Sequence, residues 1–256
     1  MGGEWADLFS YDAVVDRVTQ SHMSFVYFDS DFSKKVEVRV TRNSGSITSA
    51  QVRPASAGIT PTVSGNTITF TMTKPKKISV EVDGNILNNL FVFANRKETG
   101  AIKGPRTGVH YFGPGTHFIG DGTGTLYLTS GEKAYIAGGA ILYGNIFILD
   151  AKNVSVSGRG ILSGRLFDHA LPDNLPKPPM IFMDGSSGVT VKDIIILDTV
   201  GWNISIAASD SVTLDNLKIV GWTINSDGIN PQYSRNVRIN DCLIRSNDDC
   251  ISVKLA

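Results

Sequence analysis

Cysteine is scarce in this chain: Cys242 and Cys250 are the only two among 256 residues. They stand eight residues apart on successive strand patterns. That offset works against a mutual disulfide, so both are expected as buried free thiols. Net charge is missing as well. Lys plus Arg and Asp plus Glu are equal at 24 each, and the longest basic run, Lys74-Pro75-Lys76-Lys77, reads as a solvated turn. Such a balance supplies no field for nucleic acid or an anionic membrane, and neither is expected as a partner. No apolar stretch reaches the roughly 18 residues of a membrane-spanning helix. Met1-Gly2-Gly3-Glu4-Trp5 has no charged segment leading into an apolar one, so no export signal is read there.

Helical periodicity is the last absence. Only Asp7 to Val18, with Leu8, Tyr11, Val14, Val15 and Val18 apolar, fits a 3.6-residue period, and a short helix is expected there. Everything else reads as strand, and 41% hydrophobic residues suffice for a sizeable core in one large or two ordinary domains. From Ser24 to Arg96 the runs Ser24 to Phe28, Lys35 to Thr41, Ile47 to Val52, Thr67 to Thr73, Ile78 to Val82 and Leu90 to Ala94 alternate or are β-branched. Six or seven strands punctuated by Asn, Gly and Pro suggest a β-sandwich.

After Lys97 the texture changes to Gly-rich turns and then to a repeat headed by Val154-Ser155-Val156, Val189-Thr190-Val191, Val212-Thr213-Leu214 and Val237-Arg238-Ile239. The heads are separated by 35, 23 and 25 residues, and the longest interval holds a Pro-rich insert, Leu171 to Met180. Removing a loop of about a dozen residues from it leaves one coil period. A second strand follows each head, at Ile194 and Ile196, Leu217 and Ile219, and Cys242 and Ile244. A third follows at Trp202 to Ile206, Ser226 to Asn230 and Asp248 to Ser252. Three short strands per turn define a solenoid in which like side chains stack from rung to rung.

Aligning the third strands places Trp202, Asp227 and Asp249 in one outward, solvent-facing column, with Ile204, Ile229 and Ile251 in the inward stack beside it. Asp227 and Asp249 are 22 residues apart, close to one coil. They should therefore lie on neighbouring rungs about 4.8 Å apart. Asp248 points the other way on a straight strand, so it joins the column only if the chain bends, and Asn247 suits such a turn. Three carboxylates within reach of one another cannot all ionise independently. One is expected to keep its proton as a donor while the others polarise water, the division of labour that inverting glycoside hydrolysis requires. The same residues suit turn and Asx-cap duty, and spacing alone leaves both readings open.

The segments Gly201-Trp202-Asn203, Asn225-Ser226-Asp227-Gly228-Ile229, Asn236-Val237 and Asn247-Asp248-Asp249-Cys250-Ile251-Ser252-Val253-Lys254 resemble the polygalacturonase family of right-handed β-helix hydrolases, whose signatures read N-T-D-G and D-D-C. Ser226 stands where that family has Thr. The front half is similar to the dextranase and isopullulanase family, which sets a β-sandwich before the helix. That likeness lies in Ser24 to Phe28, Tyr111 to His117 and Tyr135 to Ala140. Together the resemblances imply an all-β chain, with a β-sandwich over residues 1–98 and a right-handed parallel β-helix over 99–256. They also imply a secreted polysaccharide hydrolase, extracellular or periplasmic, with a polysaccharide as partner and no cofactor or metal.

On this resemblance Asp248 is the general acid, and Asp227 with Asp249 holds and deprotonates the attacking water. Asn225, Trp202 and Lys254 are the implied substrate-binding residues: Trp202 as a flat platform for sugar C–H faces, Lys254 as a partner for a hydroxyl or carboxylate. Trp222 is a weaker platform candidate. The family also carries Gly-His-Gly about one coil beyond D-D-C, then Arg-x-Lys. None of His22, His110, His117 or His169 has that context, and the chain stops at Lys254-Leu255-Ala256. The helix is therefore expected to be cut in mid-sheet, with its last rung open to another chain or a missing segment. Two other readings fit the scaffold. One is a lyase or epimerase whose acidic cluster holds Ca²⁺, and the other is a non-catalytic carbohydrate-binding or adhesion solenoid. Neither an acidic substrate such as polygalacturonate nor a neutral α-glucan such as dextran is selected.

Lesser signals resolve simply. Gly113-x-Gly115 and Gly122-x-Gly124 do not link a strand to a helix and read as corner turns. His110 and His117 lack nearby carboxylate or Cys companions and read as surface or turn histidines. The sequons at Asn153 and Asn203 fall on strand patterns.

Overall fold

The computed structural model describes residues 5–172 and 175–255. The chain forms two compact units, residues 1–14 with 20–100 and residues 15–19 with 101–256.

The first unit holds a five-stranded sheet in the order Tyr11–Val14, His22–Ser30, Asn85–Arg96, Lys76–Val82, Ala50–Arg53, and a three-stranded sheet in the order Val36–Thr41, Thr67–Met72, Thr62–Ser64. All six expected strands are present. Ile68, Phe70 and Met72 of the smaller sheet and Val26, Val52, Ile78, Val80 and Val92 of the larger one share a single apolar core, which makes the unit a β-sandwich. The helix expected from Asp7 to Val18 is not there. Tyr11–Val14 is instead an edge strand paired antiparallel with His22–Ser30. The buried positions are Ala13 and Val15, a period of two, while Leu8 and Val18 are exposed. Tyr11 stacks on Phe25 and Tyr27 across the strand pair, and these contacts outweigh a weak local helical pattern.

The second unit is a right-handed parallel β-helix of three sheets. One runs through Val109–Phe112, Lys133–Ile136, Ser155–Gly158, Thr190–Lys192, Asp210–Asp215 and Arg235–Asn240. The next runs through Gly115–Phe118, Ala140–Tyr143, Ile161–Ser163, Ile195–Leu197, Lys218–Val220 and Leu243–Arg245. The last runs through Thr125–Tyr127, Asn145–Leu149, Ile181–Asp184, Ile204–Ala207 and Ile229–Gln232, with Ile251 and Lys254 bridging onto its final strand. The repeat heads and second and third strands of the sequence fall into these sheets in that order. Within the last sheet Ile146, Ile181, Ile204 and Ile229 pair in register and are fully buried, so each rung covers the next with its own kind.

Corners are turned by left-handed residues, among them Asp150, Asp193, Asp198, Asn216, Asn225 and Asp241. Asn and Asp accept this conformation because their short side chains bond to nearby backbone. Asp227, Asp248 and Asp249 are not among the residues with positive φ. On the last described rung Ile251 is 49% exposed, and Val253 and Leu255 are more so. Ile251 is thus in register with the inward stack but uncovered on one side. Cys242 packs partly buried against the helix core, whereas Cys250 is exposed, contrary to the expected burial, because no described rung lies over it. Neither is part of a disulfide among the described residues.

Candidate active site

The turns between the second and third sheets carry every candidate residue except Lys254, which bridges to Gln232 at the end of the last third-sheet strand. Asn225 opens its turn with φ of 54°, exposed, so its observed role is to reverse the chain. The turn is then fixed from both neighbouring rungs. The buried Asn203 amide donates to the carbonyls of Ser226 at 3.0 Å and Asp227 at 3.1 Å, and the Ser246 hydroxyl donates to the Ser226 carbonyl at 2.6 Å. Backbone bonds run through the same column: Asn203 N–H donates to Asp227 O and Gly228 N–H to Asp249 O, each at 2.8 Å. Asp227 and Asp249 thus occupy matching positions on adjacent rungs, as the repeat spacing requires.

Their environments differ. Asp227 is 3% exposed, so the solvent-facing position expected for it is corrected. Its Oδ2 accepts from the Asn230 amide at 3.0 Å and lies 3.2 Å from the Lys254 ammonium. That ammonium also sits over the Trp202 ring, 4.7 Å from its centroid. A buried carboxylate needs such partners, because an unpaired one is costly to remove from water. Trp202, Asp227 and Lys254, named separately from the sequence, are therefore one assembly spanning three rungs. In this structure Lys254 faces the protein's own carboxylate.

Asp248 and Asp249 are exposed. The chain bends at Asn247 and Asp248, as the placement of Asp248 demands, and the Asn247 amide ties the bend to Trp222 O at 2.9 Å. Ser246 Oγ accepts from Asp248 N–H, and Asp248 Oδ1 accepts from Asp249 N–H at 2.9 Å. Asp248 therefore does some of the capping that the turn reading assigned to the acidic residues. Among the described residues, no three His, Cys, Asp or Glu side chains converge as a metal site.

Three contributors were not foreseen. Asn230 follows Asp227 by three residues and looks like an ordinary strand residue until the fold turns its amide onto Asp227 Oδ2. Ser246 gave no signal. Asn203 had a misleading one, a glycosylation sequon, yet it is fully buried and clamps the turn. Trp222 is stacked on His169, ring centroids 5.1 Å apart, beside a cavity of about 280 Å³ that Arg17, Lys177 and Thr223 also line. Burial there holds the His169 imidazole below its usual value.

A three-sheet parallel β-helix whose turns stack acidic side chains at one edge of the third sheet has the architecture of the β-helix glycoside hydrolases. Residues 144–256 match the family model described as Glycosyl hydrolases family 28. Over 109 residues the chain is 30% identical to a protein of Vitis vinifera described as "Probable polygalacturonase", covering 42% of this chain and 22% of that protein. It is also 30% identical over 118 residues to Exopolygalacturonase X-1 of Emericella nidulans, covering 42% of this chain and 27% of that one. The chain thus spans about a quarter of the length of the curated relatives it matches. Among solved structures, Dex49A from Penicillium minioluteum is similar in fold, with a TM-score of 0.55 at 16% identity over 92% of this chain and 67% of that one.

Proposed function

We propose that this chain carries the acidic centre of a secreted, extracellular or periplasmic, inverting polysaccharide hydrolase of the polygalacturonase kind, with the β-helix as its catalytic domain. The supporting observation is the register of Asp227 and Asp249 on adjacent rungs with Asp248 at the bend between them. In this reading the exposed Asp248 donates a proton to the leaving oxygen, and Asp227 and Asp249 orient and deprotonate the water that attacks the opposite face of the sugar. Lys254 and Asn230 act by positioning Asp227, and Trp202 offers its remaining exposed face to a sugar ring. Substrate choice rests on the likeness to proteins described as polygalacturonases, so polygalacturonate is the first substrate and dextran the comparator.

The test is release of new reducing ends from each polymer. Asp248→Asn should lower turnover by several orders of magnitude, and near-normal hydrolysis by that variant ends the assignment. Proton NMR of the first product should show the inverted anomer. Retention would remove the mechanism, and an unsaturated, ultraviolet-absorbing product would transfer the chain to the lyase class.

A further inference from the structure

On the third sheet, one outward register column reads Tyr127, Phe147, Phe182, Ser205, Asn230 in consecutive rungs. Its inward neighbours Ile146, Ile181, Ile204 and Ile229 already supply the core, so the three rings are not needed to fill the helix. Tyr127 is 58% exposed, and Phe147 and Phe182 are half-buried. The rings touch edge to face, Tyr127 with Phe147 at 5.8 Å between centroids and Phe147 with Phe182 at 5.3 Å. Leu149, 42% exposed, adds apolar surface in the adjoining outward position beside Phe147. Beyond Phe182 the column becomes polar and covered: Ser205 and Asn230 are buried, and Asn230 donates to Asp227. At a rung spacing of about 4.8 Å, Phe182 stands two rungs, about 10 Å, from Asn230, and Tyr127 four rungs, about 19 Å.

We propose that Tyr127, Phe147 and Phe182 form a glycan-binding track that lays a polysaccharide chain along the helix axis towards the Asp227 rung. Sugar rings present C–H faces that pack on flat aromatic surface, and one pyranose unit is about as long as one rung, so successive rings meet successive sugars. An exposed apolar patch on a soluble face marks a binding surface. Its register continuity with the residue that holds Asp227 identifies a glycan chain as the occupant. Both the choice of a glycan as occupant and the direction of the track rest on the hydrolase reading above.

The experiment measures affinity of the full chain for polygalacturonate and for dextran, by affinity electrophoresis and calorimetry, with thermal unfolding as the folding control. Tyr127→Ala, at an exposed position, and the double variant Tyr127→Ala/Phe147→Ala should weaken binding of at least one polymer, the double variant by about tenfold. Phe118→Ala removes a comparably exposed ring, 55%, from the second sheet and should leave affinity unchanged. Asp248→Asn separates the two readings: full hydrolysis in that variant together with lost binding in the track variants overturns the catalytic assignment and supports the track. The track is overturned if the wild-type chain binds neither polymer, if the double variant binds normally, or if Phe118→Ala weakens binding equally. It is also overturned if the double variant changes only self-association in sedimentation, since the face is then an interface between copies.

Discussion

Lys254 shows how far a residue's role depends on what stands one rung away. From sequence it is a cation five residues after Asp249, free to meet substrate. In the fold it is 3.2 Å from Asp227, a carboxylate with 4% side-chain exposure, and over Trp202. Replacing Lys254 with Met leaves the Asp227 carboxylate with Asn230 as its remaining named partner in a buried site. The expected cost is about 1–3 kcal/mol in denaturant unfolding. Adding Asp227→Asn to that variant should cost less than the sum of the two single changes, because they remove the same interaction. Additive losses would show that the pair is not coupled. Asp227, Trp202 and Lys254 were legible from their motifs, but Asn230 and Asn203 were not, since amides on a strand carry no spacing signal until a partner rung is in place.

At the scale of elements, the solenoid was legible because its period is written three times over, in the heads, the second strands and the Trp202, Asp227, Asp249 series. The false helix at Asp7 to Val18 arose because Tyr11 and Val15 satisfy a 3.6-residue pattern as well as an alternation, and only pairing with His22–Ser30 decides between them. Close approach between rungs also limits what a strand tolerates. Gly158 has φ of 123°, and a Cβ there would collide with the backbone carbonyl of Ile136 on the rung before it. Gly158→Ala should destabilise the β-helix by about 2–4 kcal/mol, combining backbone strain with a steric clash that backbone cannot relieve cheaply. The check is thermal unfolding followed by circular dichroism, and an unchanged midpoint would mean that adjacent rungs slide apart at low cost.

For the whole molecule, acid is the condition that reaches both units. Asp83 in the sandwich is held at about 2, chiefly by the Thr48 hydroxyl and then by the Ser49 and Thr48 N–H groups. Asp210 in the β-helix is held at about 2 by Asn236, Arg235 and Ser211. Both lie below the ordinary unfolded carboxylate value of about 3.9. Their contribution is therefore complete above about pH 4 and lost as pH falls towards 2, because the unfolded chain binds protons first. Calorimetry should show the unfolding temperature dropping between about pH 4 and pH 2. Asp83→Asn combined with Asp210→Asn should give a lower but flatter profile over that range. A slope identical to wild type would assign the acid sensitivity to other carboxylates.

The sequence by itself determined the all-β architecture, the coil length and the rung register of Asp227 and Asp249, because alternation and repeat spacing are local properties that stacking only reinforces. The tertiary structure decided which of the three carboxylates is buried, that Lys254 and Asn230 attend it, and that aromatic rings line the same sheet. Those outcomes depend on side chains from different coils meeting across a rung, where burial and pairing set the energy and no sequence separation announces the contact.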